Sequence, residues 1–414
     1  MEIGVGNLVR VKRINRLKVL DIIRKKTSIS RKELAEATGL TPAAITGIVR
    51  DLTNMGFVIE TGPGLSNGGR PPINLVLNPE SGFVVGVEVT NKKTFLGIVN
   101  LMSQLIVKRD ISIDMSEPEE GIRKLCEEIG STVKKAGIDW EKVLKVGFAF
   151  PGLLDIRTME IKRSPNLGVN WRNVPVATLI SKYIDRPILV EHNANAAALA
   201  ARSFGLEKEI DYMVYINLGE GISAGVVMNG RISHGFSGFL GEVGHTVIME
   251  NGPLCNCGNR GCLEALCAVP SLVKRANREL PLYDNSDKLK QVWLREGKVT
   301  IDDIIATASE DGSYSQKLIN QAGWSIGTVV AGIINFYNPE TVCLGGVLTK
   351  AKDSLIKPLL KSVATHAFSE IAEITRIEIS GLGEEAGYYG ACISAINKLF
   401  AVESSETMSL NFFN

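Results

Sequence analysis

The chain has 414 residues, too many for one hydrophobic core, and its 45% hydrophobic and 22% charged residues are typical of a globular protein. It lacks a signal-peptide pattern and an apolar run of about 18 residues, so we expect a cytoplasmic protein that does not span a membrane. The net charge of +1 hides an asymmetry, because residues 1–80 carry twelve Lys and Arg against seven Asp and Glu, which leaves 34 against 38 for the rest. A polyanionic partner is therefore expected at the N-terminal segment.

The first 80 residues predict a winged helix-turn-helix. Apolar residues recur at helical spacing from Val11 to Lys26, and a capping box at Ser30 and Glu33 then starts a second helix. Thr41 followed by proline starts a third helix that extends to about Met55. Two strands follow, FVIE and INLVLN, and the glycine-rich segment TGPGLSNGGRPP between them is the predicted wing.

The third helix and the wing are the predicted DNA contacts. In a helix-turn-helix, the N-terminal residues of the second helix of the motif reach base edges in the major groove, and an arginine in the wing is suited to a narrow minor groove. The predicted DNA-binding residues are Arg31, Thr41, Pro42, Ala43, Ala44, Thr46, Gly47, Arg50, Gly69 and Arg70. The alternative is a small helical unit that mediates protein contacts.

Strands and helices alternate from residue 81 onward. The predicted strands are 83–89, 94–100, 105–112, 144–150, 187–192, 211–219 and 223–230. The predicted helices lie near 118–136, 173–184 and 193–204, and a helix leads into a strand over 333–346. A glycine-containing hairpin opens an α/β unit twice, which indicates two similar lobes with a ligand cleft between them.

A set of motifs in this body resembles the ROK family of bacterial sugar kinases and sugar-responsive repressors. The motifs are PGLLD at 151–155, PNLGVNW at 165–171, EHNANAAA at 191–198, NLGEGISAG at 217–225, GEVGH at 241–245, CNCGNRGCLE at 255–264 and LGG at 344–346. The resemblance implies an α/β body of two actin-like lobes, a ribonuclease-H-type duplicated fold. The N-terminal winged helix-turn-helix resembles the xylose-repressor branch of the family.

This resemblance also sets the predicted domain boundaries. Residues 1–80 form the DNA-binding domain, residues 81–196 with about 385–414 form the smaller lobe, and residues 197–384 form the larger lobe with the metal site.

Three cysteines and a histidine predict a metal site. His245, Cys255, Cys257 and Cys262 have the ligand types and number of a closed tetrahedral zinc site, and soft thiolates favour zinc over magnesium or calcium. A full ligand set indicates a structural ion, since a catalytic zinc keeps a position open for water. The alternative is a cluster of reduced thiols without metal. The other four cysteines lie in apolar surroundings and are predicted to be buried.

The resemblance implies a sugar site beside this metal. The predicted sugar-binding residues are His192, Asn193, Glu242, His245 and Glu264. His245 is expected to serve both the metal and the sugar.

Three departures from the family's kinases bear on catalysis. The kinases carry Asp-x-Gly-Gly-Thr in the first hairpin, where this chain has EVTNK at 88–92, and Gly-Thr-Gly in the second, where Glu220 takes the middle position. The kinases also have a catalytic aspartate at the position of Asn193, and an amide cannot act as a general base.

The sequence therefore predicts a repressor whose former kinase cleft senses a monosaccharide, not an enzyme. We expect it to bind operator DNA as a homodimer, because operators for helix-turn-helix proteins are commonly symmetric. One alternative is an ATP-dependent sugar kinase with an accessory DNA-binding domain, with His192 as a substitute base. Another is a DNA-binding protein that no longer senses a ligand.

Overall fold

The computed structural model describes residues 5–63, 73–91, 93–205 and 210–401. The N-terminal domain contains helices α1 (Val5–Lys26), α2 (Arg31–Thr38) and α3 (Pro42–Asn54) and strands β1 (Ile29–Ser30), β2 (Val58–Pro63) and β3 (Ile73–Leu77). Antiparallel pairing gives the strand order β1-β3-β2. This arrangement is the predicted winged helix-turn-helix with one additional short strand, β1.

The predicted helix caps are confirmed. The Ser30 hydroxyl accepts the N–H of Glu33 while the Glu33 carboxylate accepts the N–H of Ser30, and Gly39 ends α2 in the left-handed conformation with φ of 71°. Thr41 caps α3, with proline at the first helical position. Because these local signals need no tertiary context, the sequence alone located both helices of the motif.

The first lobe is built on a five-stranded sheet. Its elements are β4 (Phe83–Val89), β5 (Thr94–Asn100), β6 (Leu105–Ile111), α4 (Pro118–Lys135), β7 (Val143–Phe150), β8 (Leu153–Asp155), β9 (Glu160–Arg163), β10 (Arg172–Val174), α5 (Val176–Ser181) and β11 (Ile188–His192). The sheet order is β11-β7-β4-β5-β6, antiparallel among β4, β5 and β6 and parallel from β4 through β7 to β11. Strands β8, β9 and β10 form a separate small sheet.

The second lobe repeats this topology. Its elements are α6 (Asn193–Ala200), β12 (Met213–Leu218), β13 (Ile222–Met228), β14 (Arg231–Ser233), α7 (Leu263–Cys267), α8 (Val269–Glu279), α9 (Lys288–Glu296), α10 (Ile301–Thr307), α11 (Tyr314–Tyr337), β15 (Thr341–Gly345), α12 (Asp353–His366), α13 (Ser369–Ala372), β16 (Arg376–Ile379) and α14 (Ala386–Phe400). Helix α14 follows these elements in the chain but packs on the sheet of the first lobe. The order β14-β13-β12-β15-β16 has the same pattern of strand directions as the first sheet. Two sheets of identical topology confirm the predicted duplicated, actin-like fold.

One helix boundary was predicted wrongly. The helix expected near 173–184 is limited to Val176–Ser181, and the residues before it form strand β10. Pro175 explains the difference, because a proline ring pushes the preceding residue out of the helical region into an extended conformation.

The boundaries of the three domains remain a prediction. Helix α14 follows the second sheet in the chain but packs against β4, β5 and β7 of the first sheet, as the assignment of residues from about 385 to the first lobe requires. Residues 402–414 of that assignment lie outside the described part of the chain. Within the described residues, no helix is both long enough and apolar enough to cross a membrane.

Candidate functional site

Helix α3 presents an exposed face of small side chains at its N-terminal end. The exposed residues of this face are Thr41, Pro42, Ala43, Ala44, Thr46 and Arg50. Gly47 is half-buried, and no atom lies within 4 Å of where a Cβ would stand. The opposite face packs into the domain core through Ile45, Ile48, Val49 and Leu52. The helix is therefore anchored by one side and free to enter a groove with the other.

The other three predicted DNA contacts are not part of this exposed face. The guanidinium of Arg31 forms an ion pair with the carboxylate of Glu60 on β2, so its charge is already partnered within the domain. Gly69 and Arg70, in the predicted wing, lie outside the described residues.

The four predicted metal ligands converge. The nitrogen and sulfur atoms of His245, Cys255, Cys257 and Cys262 all lie within 4.8 Å of one another. Cys257 Sγ is 3.7 Å from Cys262 Sγ, and Cys255 Sγ is 3.7 Å from His245 Nδ1. Sulfur atoms bound tetrahedrally to one zinc ion at about 2.3 Å lie about 3.8 Å apart, whereas a disulfide needs about 2.05 Å. The donor set thus has the spacing of a metal site and not of a disulfide.

The metal loop positions a cleft carboxylate. Backbone contacts close this loop, with Val247 bridged to Cys262 and Leu254 to Arg260. Helix α7 begins directly after Cys262, and the Glu264 carboxylate in its first turn accepts the N–H of Ile222 at 3.0 Å. The position of Glu264 therefore depends on the loop that contains the four predicted ligands.

A cavity of about 480 Å³ lies between the two lobes, and all five predicted sugar-binding residues line it. His245 directs Nδ1 toward Cys255, while its Nε2 lies 3.6 Å from a carboxylate oxygen of Glu242. One ring can thus face the metal cluster and the cavity at once. Burial, followed by the nearby carboxyl of Glu264, raises the pKa of Glu242 to about 7.

Asn193 offers the cavity an acceptor. Its side-chain N–H donates to the carbonyl oxygen of Val89 at 3.0 Å, which fixes the orientation of the amide. Its Oδ1 is buried and accepts no hydrogen bond from the described residues. Because buried polar atoms are normally paired, this oxygen is suited to a hydroxyl donor of a ligand.

His192 offers a donor. Burial lowers the pKa of His192 to about 4, so the ring is neutral near pH 7. Its Nδ1 accepts the N–H of Ala194 at 3.3 Å, which assigns the ring hydrogen to Nε2. The neighbouring Glu191 is held by three donors, from His234, Asn195 and its adjacent backbone. Burial would raise the pKa of Glu191, but these hydrogen bonds hold it below its ordinary value.

Several residues that line the cavity were not predicted from the sequence to do so. Asn166 lies within the PNLGVNW motif, and its side-chain nitrogen would be 3.0 Å from a Cβ at Gly221. Tyr215, on β12, and Glu88, at the end of β4, also line the cavity. Asn91 donates to Glu220 at 3.1 Å and so joins the tips of the two hairpins across the cleft. The motif signalled Asn166, whereas the contact between the hairpins depends on pairing over 129 residues of sequence.

The carboxyl of Glu88 lies against the start of α14. A Cβ at Gly387 would stand 1.9 Å from the Glu88 carboxyl carbon, and Glu88 accepts the backbone N–H of Tyr388. Burial raises the pKa of Glu88 from its ordinary value of 4.5 to about 8. Glu88 is therefore predominantly a neutral carboxylic acid at pH 7.

This raised pKa predicts a pH dependence. Because Glu88 holds its proton more tightly in the folded chain, its contribution to stability is fully present below about pH 4.5 and is lost as pH rises through about 8. The loss should be of the order of a few kcal/mol. Glu88→Gln keeps an acceptor oxygen without an ionising group. We expect its unfolding free energy to decline less over this interval than that of the parent, and parallel urea titrations of the two proteins would contradict this.

Helix α14 links the cleft to the DNA-binding domain. Ala386 and Gly387 at its start line the cavity, whereas Leu399 and Phe400 at its end share a hydrophobic core with α1, α3 and β3. Fifteen helical residues span about 22 Å. In the second turn of α14, Gly390 lies so close to α6 that a Cβ there would stand 1.8 Å from the carbonyl oxygen of Ala196. A shift between the lobes at this crossing would therefore reach the DNA-binding domain through one rigid element.

Comparisons with known proteins found matches for both the two-lobed body and the N-terminal domain. Residues 84–398 match the ROK family, and residues 12–59 match a winged helix-turn-helix DNA-binding domain. The chain is 28% identical over 393 residues to the xylose repressor of Caldicellulosiruptor bescii, which covers 95% of this chain and 97% of the relative. It is also 28% identical over 311 residues to a glucokinase of Halalkalibacterium halodurans, at 74% and 92% coverage.

A crystal structure of a ROK family transcriptional regulator, described as a homologue of the Escherichia coli Mlc protein, has a similar fold. Its TM-score is 0.80 at 26% identity, over 94% of this chain and 97% of that chain. The similarity extends over the DNA-binding domain and both lobes together, whereas the glucokinase covers only 74% of this chain.

Proposed function

Because this chain belongs to the ROK family, we propose that it is a sugar-responsive transcriptional repressor. The winged helix-turn-helix would bind operator DNA, and the cleft between the lobes would bind a sugar. The observation that carries the proposal is α14, which joins the cleft and the DNA-binding core in one helix. Repressors that align over at least 95% of the chain support the same conclusion.

In this proposal, sugar binding selects one arrangement of the lobes. A ligand shifts such an equilibrium only by its difference in affinity for the two states. Closing the cleft around a sugar would move α6 against α14 and change how the recognition helices of a homodimer are spaced. The dimer rests on the symmetry of operators bound by helix-turn-helix proteins. A sedimentation mass equal to a single chain, measured on the operator-bound protein after subtraction of the DNA, would contradict it.

The direct test is a mobility-shift titration with DNA from upstream of the protein's own and neighbouring genes. A specific shift that one sugar of a panel releases is the expected result. Binding that is salt-sensitive, indifferent to sequence and unaffected by any sugar would overturn the proposal.

Zn²⁺ is the ion we propose for the His245, Cys255, Cys257 and Cys262 cluster. Three thiolates and one imidazole at tetrahedral spacing fit zinc, and the ion would fix the fold of the loop when bound. The sugar itself would be bound by side chains of the cleft. We propose that Glu264, Glu242, His245, Asn193 and His192 hold the sugar hydroxyls, with His192 as a donor and Asn193 Oδ1 as an acceptor.

Arg50 is proposed to contact DNA, together with Thr41, Pro42, Ala43, Ala44, Thr46 and Gly47 and, in the predicted wing, Gly69 and Arg70. Arg50 is exposed and forms no ion pair within the described chain. Arg50→Ala should weaken operator binding by about 1–3 kcal/mol, roughly 5- to 150-fold. Arg295→Ala, an exposed arginine on the second lobe, is the matched control and should leave the affinity unchanged. Equal operator affinities of both variants in fluorescence anisotropy would remove Arg50 from the interface.

A sugar kinase is the second candidate, supported by the aligned glucokinase. Asn193 argues against it, because its amide has no basic lone pair for the sugar proton and its N–H is engaged with Val89. Asn193→Asp would turn a carboxylate oxygen toward the Val89 carbonyl. We expect a loss of about 1–3 kcal/mol in unfolding free energy and no gain of phosphorylation.

The matched control is Asn229→Asp on an exposed turn, which should change neither property. Calorimetry and an assay for sugar phosphate formed from ATP measure the two outcomes. Turnover by the parent would favour the kinase, whereas turnover gained in Asn193→Asp with none in the parent would count against it.

A further inference from the structure

The cavity extends beyond the residues proposed to bind the first sugar. Glu242, His245 and Glu264 belong to the segment held by the metal cluster. The rest of the lining comes from other elements, including β4, β12, the turn at Gly346 and the start of α14. A cavity of about 480 Å³ falls in the size range of sites for ligands larger than one sugar ring. The cavity therefore has room for more than one sugar ring.

Tyr215 supplies a polar group to this part of the cavity. Its side chain is almost completely buried, with 1% of the residue exposed, yet it lines the cavity. Its hydroxyl forms no hydrogen bond with any residue of the described chain. Buried tyrosine hydroxyls usually have a partner, so this one is suited to an oxygen of a bound molecule.

The surrounding groups favour an uncharged ligand. Glu88, protonated at neutral pH, offers an O–H donor, and Asn217 on β12 offers an amide. The two lysines that the described residues contribute to the lining are already paired, since Lys350 donates to Glu384 at 2.6 Å and Lys93 lies 3.8 Å from Asp110. Glu220 adds a carboxylate that a phosphate would have to face. A nucleotide is thus disfavoured, whereas a polyhydroxylated neutral molecule matches these donors and acceptors.

We propose that the effector is an oligosaccharide of at least two units, and that its second unit occupies the part of the cavity lined by Glu88, Tyr215 and Asn217. The inference rests on the proposed function, because it assumes that the first unit binds near Glu264. It changes the class of effector from a monosaccharide to a disaccharide or longer sugar.

Calorimetric titration of the full-length, zinc-loaded chain with matched pairs tests this inference. The pairs are glucose and cellobiose, xylose and xylobiose, and mannose and mannobiose, with a non-hydrolysable ATP analogue as a further ligand. For one pair, we expect the disaccharide to bind at least 10-fold more tightly than its monosaccharide. The ATP analogue should not bind at comparable concentrations.

Tyr215→Phe gives the residue-level test. The affinity for the disaccharide should fall about 3- to 10-fold, because one neutral hydrogen bond is lost. The affinity for the monosaccharide should stay unchanged. Tyr212→Phe is the matched control, because Tyr212 precedes the same strand but bonds to Asn229 outside the cavity. It should alter neither affinity.

The outcomes separate this inference from the proposed function. Monosaccharide binding without a gain for any disaccharide, equal losses of both sugars in Tyr215→Phe, or binding of the ATP analogue would overturn the inference alone. Absence of binding by every sugar would overturn the sugar-sensing function together with it.

Discussion

Cys262→Ala is expected to abolish the sugar response while operator binding persists. Cys262 is a ligand in the proposed zinc cluster and immediately precedes α7, which carries Glu264. Structural zinc sites contribute about 10 kcal/mol or more of apparent binding free energy, so an incomplete ligand set leaves the loop without its main constraint. The sugar affinity should therefore fall by at least about 100-fold. The core of the DNA-binding domain contains no residue of the metal loop and should remain folded.

Cys267→Ala provides a close control. Cys267 lies on the same short helix and is buried, but it is not part of the ligand cluster. This variant should retain one zinc ion per chain and an unchanged sugar response. Zinc content by atomic emission, sugar titration and mobility shift give the three measurements. Full sugar affinity in a zinc-free Cys262→Ala protein would show that the metal does not support the site.

Phe400→Ala is expected to uncouple operator binding from sugar binding. Phe400 ends α14 inside the core of the DNA-binding domain, is 5% exposed, and has the guanidinium of Arg24 4.9 Å from its ring centroid. Truncating a buried phenylalanine typically costs about 3–5 kcal/mol. Sugar should still bind the cleft, because the residues proposed to hold it are unchanged. The ratio of operator affinities without and with sugar should fall toward one.

Phe368→Ala is the matched control for this variant. Phe368 lies between α12 and α13 and is 65% exposed, so its removal should change little. Calorimetric unfolding reports the loss of stability, and operator titrations at saturating sugar report the coupling. An unchanged affinity ratio in Phe400→Ala would show that α14 does not carry the signal.

The features that the sequence predicted well are those with local physical causes. The caps at Ser30 and Thr41 depend on neighbouring side chains and appear as expected. The four side chains predicted to bind a metal, within 18 residues of sequence, also lie close together. Alternating and helical apolar patterns located the strands of the first lobe's main sheet. Their pairing order was not predicted, because it depends on contacts between distant segments.

The features that the sequence did not predict arise from packing between distant segments. Nothing in the local sequence indicates that Arg31 pairs with Glu60. The half-buried guanidinium predicted to contact DNA is therefore the same group that forms the ion pair. The contact between the Glu88 carboxyl and α14 joins segments that lie about 300 residues apart in the sequence. The role of α14 itself required the structure, because its sequence shows only that it is apolar.

The most direct test of the account is a linkage measurement on one preparation of the zinc-loaded protein. The sugar that releases the operator is titrated calorimetrically into the free protein and into its operator complex, and operator affinity is measured without and with saturating sugar. Because coupling between two binding sites is reciprocal, both comparisons must give the same factor. We expect sugar to bind more weakly to the operator complex, by the factor by which sugar weakens operator binding. Identical sugar affinities for the free and the operator-bound protein would contradict the account.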